Sequence, residues 1–267
     1  DLNGLPQTVQ NFINDTIRYR ESGNCLDYDT CQKILEYAAD TGSQKLTGLG
    51  LYYLAECYWQ KGEYENTMQC LTESVGCLEN AQMYELLAKA HNMMGAVSDR
   101  KNNRMLALSS YYNSLKYAEK YHFYYIQGMA ESNIAYTLVR MRLRQEAIHH
   151  YRIAIACYDK SEKTYHLNYN RINCMIECGC CHMYLGEMEE ALQLWNEIEQ
   201  ILREAPESYY SKITLEMYRI PCELLKGHVE EALKLASDIL EQLSDWDIFE
   251  EIMDELVILA GILAILP

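Results

Sequence analysis

The chain has 267 residues, 49% of them hydrophobic, with 23 basic and 39 acidic side chains and only 4 Pro and 13 Gly. This excludes a disordered polymer, a collagen-like rod and a small scaffold held by staples, and scarce Pro and Gly with plentiful Leu, Ala, Glu, Tyr and Met point to one elongated helical body. The net charge of −16 is uneven: residues 1–185 carry 18 basic and 20 acidic groups, residues 186–267 carry 5 and 19, and the stretch 100–171 carries 12 and 5. Binding to nucleic acid needs a basic footprint that an acidic chain lacks, so none is expected, while the basic stretch suits an acidic partner. The 11 Cys, an odd number without framework spacing, read as reduced thiols and hence a cytoplasmic protein. The longest apolar run, Leu256–Pro267, has 12 residues, against the roughly 20 of a membrane-spanning helix, so no membrane segment is expected.

Along the chain, Pro6–Arg20 and Asp27–Ala39 read as two opening helices, with Asp29 or Thr30 capping the second. Next comes self-similarity. Aligning Thr67, Ala107, Ala147, Ala191 and Ala232 gives intervals of 40, 40, 44 and 41. Five positions earlier stand Gly62, Asn102, Arg142, Gly186 and Gly227, where a tight turn favours Gly or Asn. Twelve positions before the alignment column come Ala55, Gly95, Ala135, Gly179 and Ile220, mostly small, which lets two helices approach closely. Four positions after it come Leu71, Tyr111, Tyr151, Trp195 and Ala236, mostly large, and seven after it Ser74, Ser114, Ala154, Ile198 and Ile239. The second helices carry apolar residues at helical spacing, as in Ala191, Leu192, Trp195, Ile198 and Ile201.

This pattern resembles the tetratricopeptide repeat, most closely in Leu54–Tyr58 through Gly62, Tyr64 and Leu71, and in Gly186–Leu192 through Trp195. The departures are a period near 40, Arg142 in the turn column, Thr67 in the Ala column and Pro221 inside a first helix; they imply lengthened helices and a kink at Pro221. The resemblance implies an all-α fold, a TPR-like α-solenoid superhelix of antiparallel helix pairs with about 11 helices, each pair burying its apolar faces against its neighbours. The expected division is 1–42 for degenerate opening helices, then repeats at 43–82, 83–122, 123–162, 163–206 and 207–244. Residues 245–267 are expected to form an unpaired final helix. Its apolar residues Leu256–Leu259, Ile262, Leu263, Ile265 and Leu266 surround it, as at the cut end of a longer protein or at a self-association surface.

In this family the inner surface comes from the first helices. Register then implies a peptide-binding groove of Tyr52 and Glu56, Lys89 and Asn92, Ser132, Asn133, Tyr136 and Arg140, and Asn173, Glu177 and Tyr184. Lys89, Asn92, Asn133 and Arg140 partly resemble the family's carboxylate clamp. The cluster Cys174, Cys178, Cys180, Cys181 and His182 has soft ligands one helical turn apart, but Cys178 falls in a packing column, so the cluster reads as core and no metal is expected. The 23 Tyr include Tyr52, Tyr53, Tyr58, the cluster Tyr121–Tyr125 and Tyr209–Tyr210, and most of them read as inter-helix packing, while Arg140, Arg142 and Arg144 with His149 and His150 read as a solvated turn. No P-loop, Gly-x-Gly-x-x-Gly, His-Glu-x-x-His or Gly-x-Ser-x-Gly occurs, so no catalytic residue and no cofactor are assigned.

A narrower likeness lies in Leu86–Gly95, followed by Ala107-Leu108, Tyr111-Tyr112, Tyr121-His122 and Ser132–Ala135. These residues resemble the long-period repeat regions upstream of GGDEF-type diguanylate cyclase domains in gut Firmicutes. The likeness implies a non-enzymatic input region that binds a protein or peptide and relays occupancy to an effector after Pro267. A self-associating scaffold without ligand, joined through the last helix, and the regulatory part of a transcriptional regulator are the alternatives.

Overall fold

In a computed structural model of the chain, residues 7, 9–11, 13–14, 28–161, 165–204, 216–217, 219–220, 223–224 and 226–242 are described. Their regular structure is all α-helical: α1 (Tyr28–Thr41), α2 (Gln44–Gln60), α3 (Tyr64–Asn80), α4 (Tyr84–Arg100), α5 (Arg104–Lys120), α6 (Tyr124–Arg140), α7 (Arg144–Asp159), α8 (Tyr165–Tyr184), α9 (Met188–Glu204) and α10 (Val229–Gln242). The expected first helix is described at six positions, all helical. Tyr209–Tyr210, the kink at Pro221 and the final helix 245–267 lie outside the described residues. Asp29 and Thr30 stand inside the first turn of α1, so neither is its cap; there Asp29 places a negative charge near the helix's positive end.

Helices α2 to α6 are each 17 residues long. What ends them is one residue per turn with a left-handed backbone: Gly42, Gly62, Gln82, Asn102, His122 and Arg142, with φ between 57° and 73° and 20 residues apart. Sequence reasoning had placed turns only at Gly62, Asn102 and Arg142 of this set. Two 17-residue helices and two three-residue turns make 40 residues, which accounts for the excess over the usual 34 of a tetratricopeptide repeat. Gly186 and Gly227 take the same backbone in the later turns, at φ 78° and 81°. Where the residue is not Gly, the Cβ clash costs about 1–2 kcal/mol, which the hydrogen bonds of the turn offset.

Those bonds follow the Schellman pattern, satisfying carbonyls that a helix end would otherwise leave open. At the first such turn with helices of full length, the Glu63 amide donates to Tyr58 O at 2.9 Å and the Gly62 amide to Trp59 O at 3.0 Å. The equivalent long bonds, from the amides of Met83, Asn103, Phe123, Leu143, Glu187 and His228, are all 2.9 Å. A Schellman turn also brings the side chains at its two ends together. Met83 packs against the core cluster that holds Leu78, and the next apolar pair at these positions is Leu138 with Leu143. Further on the same two positions are His182 with Glu187, and then Glu223 with His228, the same pair in reversed order. His182 Nδ1 donates to Glu187 Oε2 at 2.6 Å, and His228 Nδ1 to Glu223 Oε2 at 2.8 Å. The His182 bond, before other partners, holds the Glu187 carboxyl below its ordinary range; Glu223 is lowered first by Lys226 and then by His228.

The chain divides into two compact units, Asp1–Asn133 and Ile134–Pro267, each with its own core. In the first, α1 packs on α2, α2 on α3, α3 on α4 and α4 on α5. Ile34, Leu71, Leu78 and Leu87 are fully buried there, each contributing about 1.5–3 kcal/mol by leaving water. Two buried serines tie second helices to first ones: Ser74 Oγ donates to Gly48 O at 2.7 Å and Ser114 Oγ to Ala88 O at 2.8 Å. In the second unit, α7 packs on α8 and α8 on α9 around Met175, Ile176, Trp195 and Ile198. A smaller core there holds Met217, Ile220, Ala232, Leu235 and Ile239.

The small column and the large column face each other. A Cβ at Gly95 would lie 2.3 Å from Tyr111 Cε1, and one at Gly179 would lie 3.2 Å from Trp195 Cζ3. Ile220, the exception among the small residues, goes with Ala236, the exception among the large ones, and both belong to the small core. Total volume is conserved across each pair while its distribution changes, which is how packed interiors tolerate substitution. Gly95→Ala is therefore expected to destabilise the chain by about 1–3 kcal/mol, measured by urea unfolding. Adding Tyr111→Leu, which recreates the Ala55–Leu71 combination, is expected to recover most of that loss; no recovery would refute the pairing.

Candidate functional site

The eleven residues chosen by register lie on α2, α4, α6 and α8, and the structure sets them at different depths. Tyr52 is 1% exposed, packs edge-on to Tyr53 with ring centroids 5.6 Å apart, and belongs to the core of the first unit. Glu56 and Asn92 are buried as well. Lys89, Ser132, Asn133, Asn173, Glu177 and Tyr184 are half-buried, and Tyr136 and Arg140 are exposed.

In the first unit, Asn133 Nδ2 donates to Asn92 Oδ1 at 3.1 Å, joining α6 to α4 through amides 41 residues apart. Lys89, one turn before Asn92, is held by Glu85 at 2.6 Å. Lysine, amides and the Ser132 hydroxyl give this face donors and acceptors together. In the second unit, the Arg140 guanidinium lies 5.8 Å from the centre of the Tyr136 ring, a cation over an aromatic face. Asn173 and Glu177, one turn apart, and Tyr184 belong to α8.

Register reasoning missed Arg144 and Tyr151. Arg144 had been grouped with the solvated turn, yet its guanidinium sits 4.2 Å from the centre of the Tyr184 ring and its Nε is buried without a hydrogen-bond partner. Burial raises the Tyr184 hydroxyl above its ordinary pKa, and Arg144 opposes that shift. The signal was present: Arg144 shares its column with Tyr64, which packs on Trp59 at 5.4 Å. Tyr151 is 1% exposed, and its hydroxyl is buried without a hydrogen-bond partner. Burial, then the charge of Glu177, push its pKa up strongly. Arg142 is the left-handed residue of its turn, and His149 and His150 lie ring to ring at 5.6 Å.

The cysteine cluster is core. Cys174, Cys178, Cys180 and Cys181 are all buried, and burial pushes the Cys178 thiol up to about 11 and Cys181 higher still. Soft-metal binding needs thiolates, which this environment disfavours. His182 is engaged at both ring nitrogens, Nδ1 donating to Glu187 and Nε2 accepting from Arg152 at 3.4 Å. Among the described residues, no group of three or more His, Cys, Asp or Glu is placed to hold a metal ion, and no helix is long and apolar enough to cross a membrane.

No protein-family model and no curated relative matches the sequence. Solved structures do match in fold. The apo form of RapI aligns with a TM-score of 0.68 at 10% identity, covering 96% of this chain and 95% of that one. BtubC (BKLC) from P. vanneervenii aligns at 0.64 with 12% identity, covering 88% and 91%. The TPR-like repeats of a kinesin light chain homologue from Podosopora anserina align at 0.56 with 14% identity, covering 77% and 100%. The fold is thus that of TPR-like helical-repeat proteins, as expected from the column pattern.

Proposed function

We propose that this chain is a non-enzymatic module that binds a protein or an extended peptide along the faces of its first helices. The observation that supports the reading most is the Asn133 to Asn92 hydrogen bond. Amides from neighbouring first helices meet beside Lys89 and Ser132, and such a row matches the alternating donors and acceptors of a peptide backbone. Tyr136 with Arg140, and Tyr184 with Arg144, offer aromatic area with a fixed cation in the second unit, which suits acidic or aromatic side chains of the ligand. Within the first unit Tyr52, Glu56 and Asn92 lie beneath its face, and within the second Asn173 and Glu177 belong to the face of α8. No cofactor takes part, and the module works in the cytoplasm.

Selection from a phage-displayed library of unstructured peptides tests the reading. Enriched peptides should lose about tenfold in affinity or more on Asn133→Ala or Tyr136→Ala, with the unfolding midpoint little changed by Tyr136→Ala and lowered by Asn133→Ala, which leaves the buried Asn92 amide without this bond. Absence of enrichment, or affinities that ignore both substitutions, would sink it.

The module serves as the input region of a larger signalling protein, with a diguanylate cyclase as the effector that the resemblance of Leu86–Gly95 and Ser132–Ala135 suggests. Differential affinity for two arrangements of the repeats would carry the signal. Translating the reading frame past the codon for Pro267 tests this: a GGDEF domain there supports it, and a stop codon moves the function to a self-associating scaffold.

A further inference from the structure

Three columns on the second helices face solvent throughout the repeats: the two residues before the alignment column and the one five positions after it. In α3 they hold Glu65, Asn66 and Thr72, and in α7 Gln145, Glu146 and Arg152, all exposed. In α9 they hold Glu189, Glu190 and Asn196, and in α10 Glu230, Glu231 and Ser237, again all exposed. Only in α5 are the same positions apolar, with Met105 71%, Leu106 48% and Tyr112 51% exposed. Met105, Ser109, Tyr112 and Lys116 recur at i, i+4, i+7 and i+11, one stripe of the helix opposite buried Ala107, Tyr111, Ser114 and Ala118. The twelve polar counterparts show that the fold does not require apolar side chains there, and a cluster of exposed large apolar residues marks a contact surface.

The rim of this stripe is basic. Residues 100–120 carry five basic groups and one acidic. Of these, Lys101 is bound by Glu65 at 2.6 Å, while Lys116 and Lys120 reach over the Tyr117 and Tyr121 rings. Arg104, beside Met105, has a buried Nε without a hydrogen-bond partner. The chain itself contains the complement. Residues 245–256 carry six carboxylates and no basic group, and Trp246, Phe249, Met253 and Leu256 follow at steps of three, four and three, the spacing of one helical face.

We infer that the outer face of α5 docks the acidic, amphipathic segment 245–256 of a second copy of this chain, the apolar anchors of that segment on Met105, Leu106 and Tyr112 and its carboxylates against Arg104, Lys116 and Lys120. This gives the expected self-association through the last helix its receiving surface and is independent of the ligand-binding surface on the first helices. The contact joins two different patches, so it is heterologous and propagates head to tail unless its rotation closes a ring. It sets an amphipathic segment on a helix face, with charge setting partner choice and salt dependence.

The experiment uses the 267-residue chain in light scattering after gel filtration over a range of concentrations, beside a fluorescent peptide of residues 244–258. The chain should shift from monomer to larger species as concentration rises. The peptide should bind with an affinity that drops about tenfold or more in the double variant Met105→Glu, Tyr112→Glu and several-fold between low and moderate salt. Both side chains are more than half exposed, so the variant should keep its circular dichroism and unfolding midpoint. A chain that stays monomeric at every concentration overturns the inference and self-association with it. Association that persists unchanged in the double variant overturns only the role of α5. Binding of the wild-type chain to phosphatidylserine vesicles, lost in the same variant while the peptide fails to bind, would assign the face to a membrane instead.

Discussion

Each helix from α1 to α6 stops at a single residue forced into a left-handed backbone, and those residues stand 20 positions apart from Gly42 to Arg142. Once that spacing is set, helix length is set at 17 residues, and length in turn decides which side chain faces which across the pair. Side-chain direction advances by about 100° per residue, so one residue more or fewer per helix would rotate the small column away from the large one. The repeated long bond at 2.9 Å shows how little the turn varies while its residue changes from Gly to Gln, Asn, His or Arg. From α2 to α6 backbone geometry is conserved, and side-chain identity is what drifts.

Two exchanges within the chain follow from that fixed geometry. At the ends of the Schellman turn, apolar partners such as Leu138 and Leu143 give way to His182 with Glu187, and one repeat later to Glu223 with His228. The turn accepts different pairs at these positions, among them Tyr58 with Glu63 and Ser98 with Asn103, and where the pair is His and Glu a short charge-assisted hydrogen bond is added. Across the helix pair, Gly95 with Tyr111 and Ile220 with Ala236 divide the available volume in opposite ways. Both exchanges keep the element in place with different chemistry.

The fold class was legible because the alignment column, the turn column and the two packing columns agree over five repeats. The turns at Gln82 and His122 were not legible, since Gln does not favour a left-handed backbone and His, though it enters that region more often than most residues, is far commoner elsewhere; only the 20-residue spacing of the turns shows them. Register also told which face Tyr52, Glu56 and Asn92 occupy, but not how deep they lie, because depth depends on which side chains pack around them, as the Tyr53 ring does on Tyr52. Arg144 was read as solvated from its neighbours in sequence, although its column is one that packs on an aromatic ring in the first repeat. The apolar stripe on α5 emerges only when exposure is compared column by column. The residues chosen by register rest on the same periodic backbone as the core, with chemistry varied where the period leaves a position open.

Hydrogen–deuterium exchange at the turn amides tests this account most directly. If the left-handed turn is the element on which the repeats depend, the amides of Glu63, Met83, Asn103, Phe123 and Leu143 should be protected to within about tenfold of amides in the middle of their helices, because opening them requires opening the helix pair. Exchange of these five amides at the rate of an unstructured peptide, while the helix centres stay protected, would contradict it.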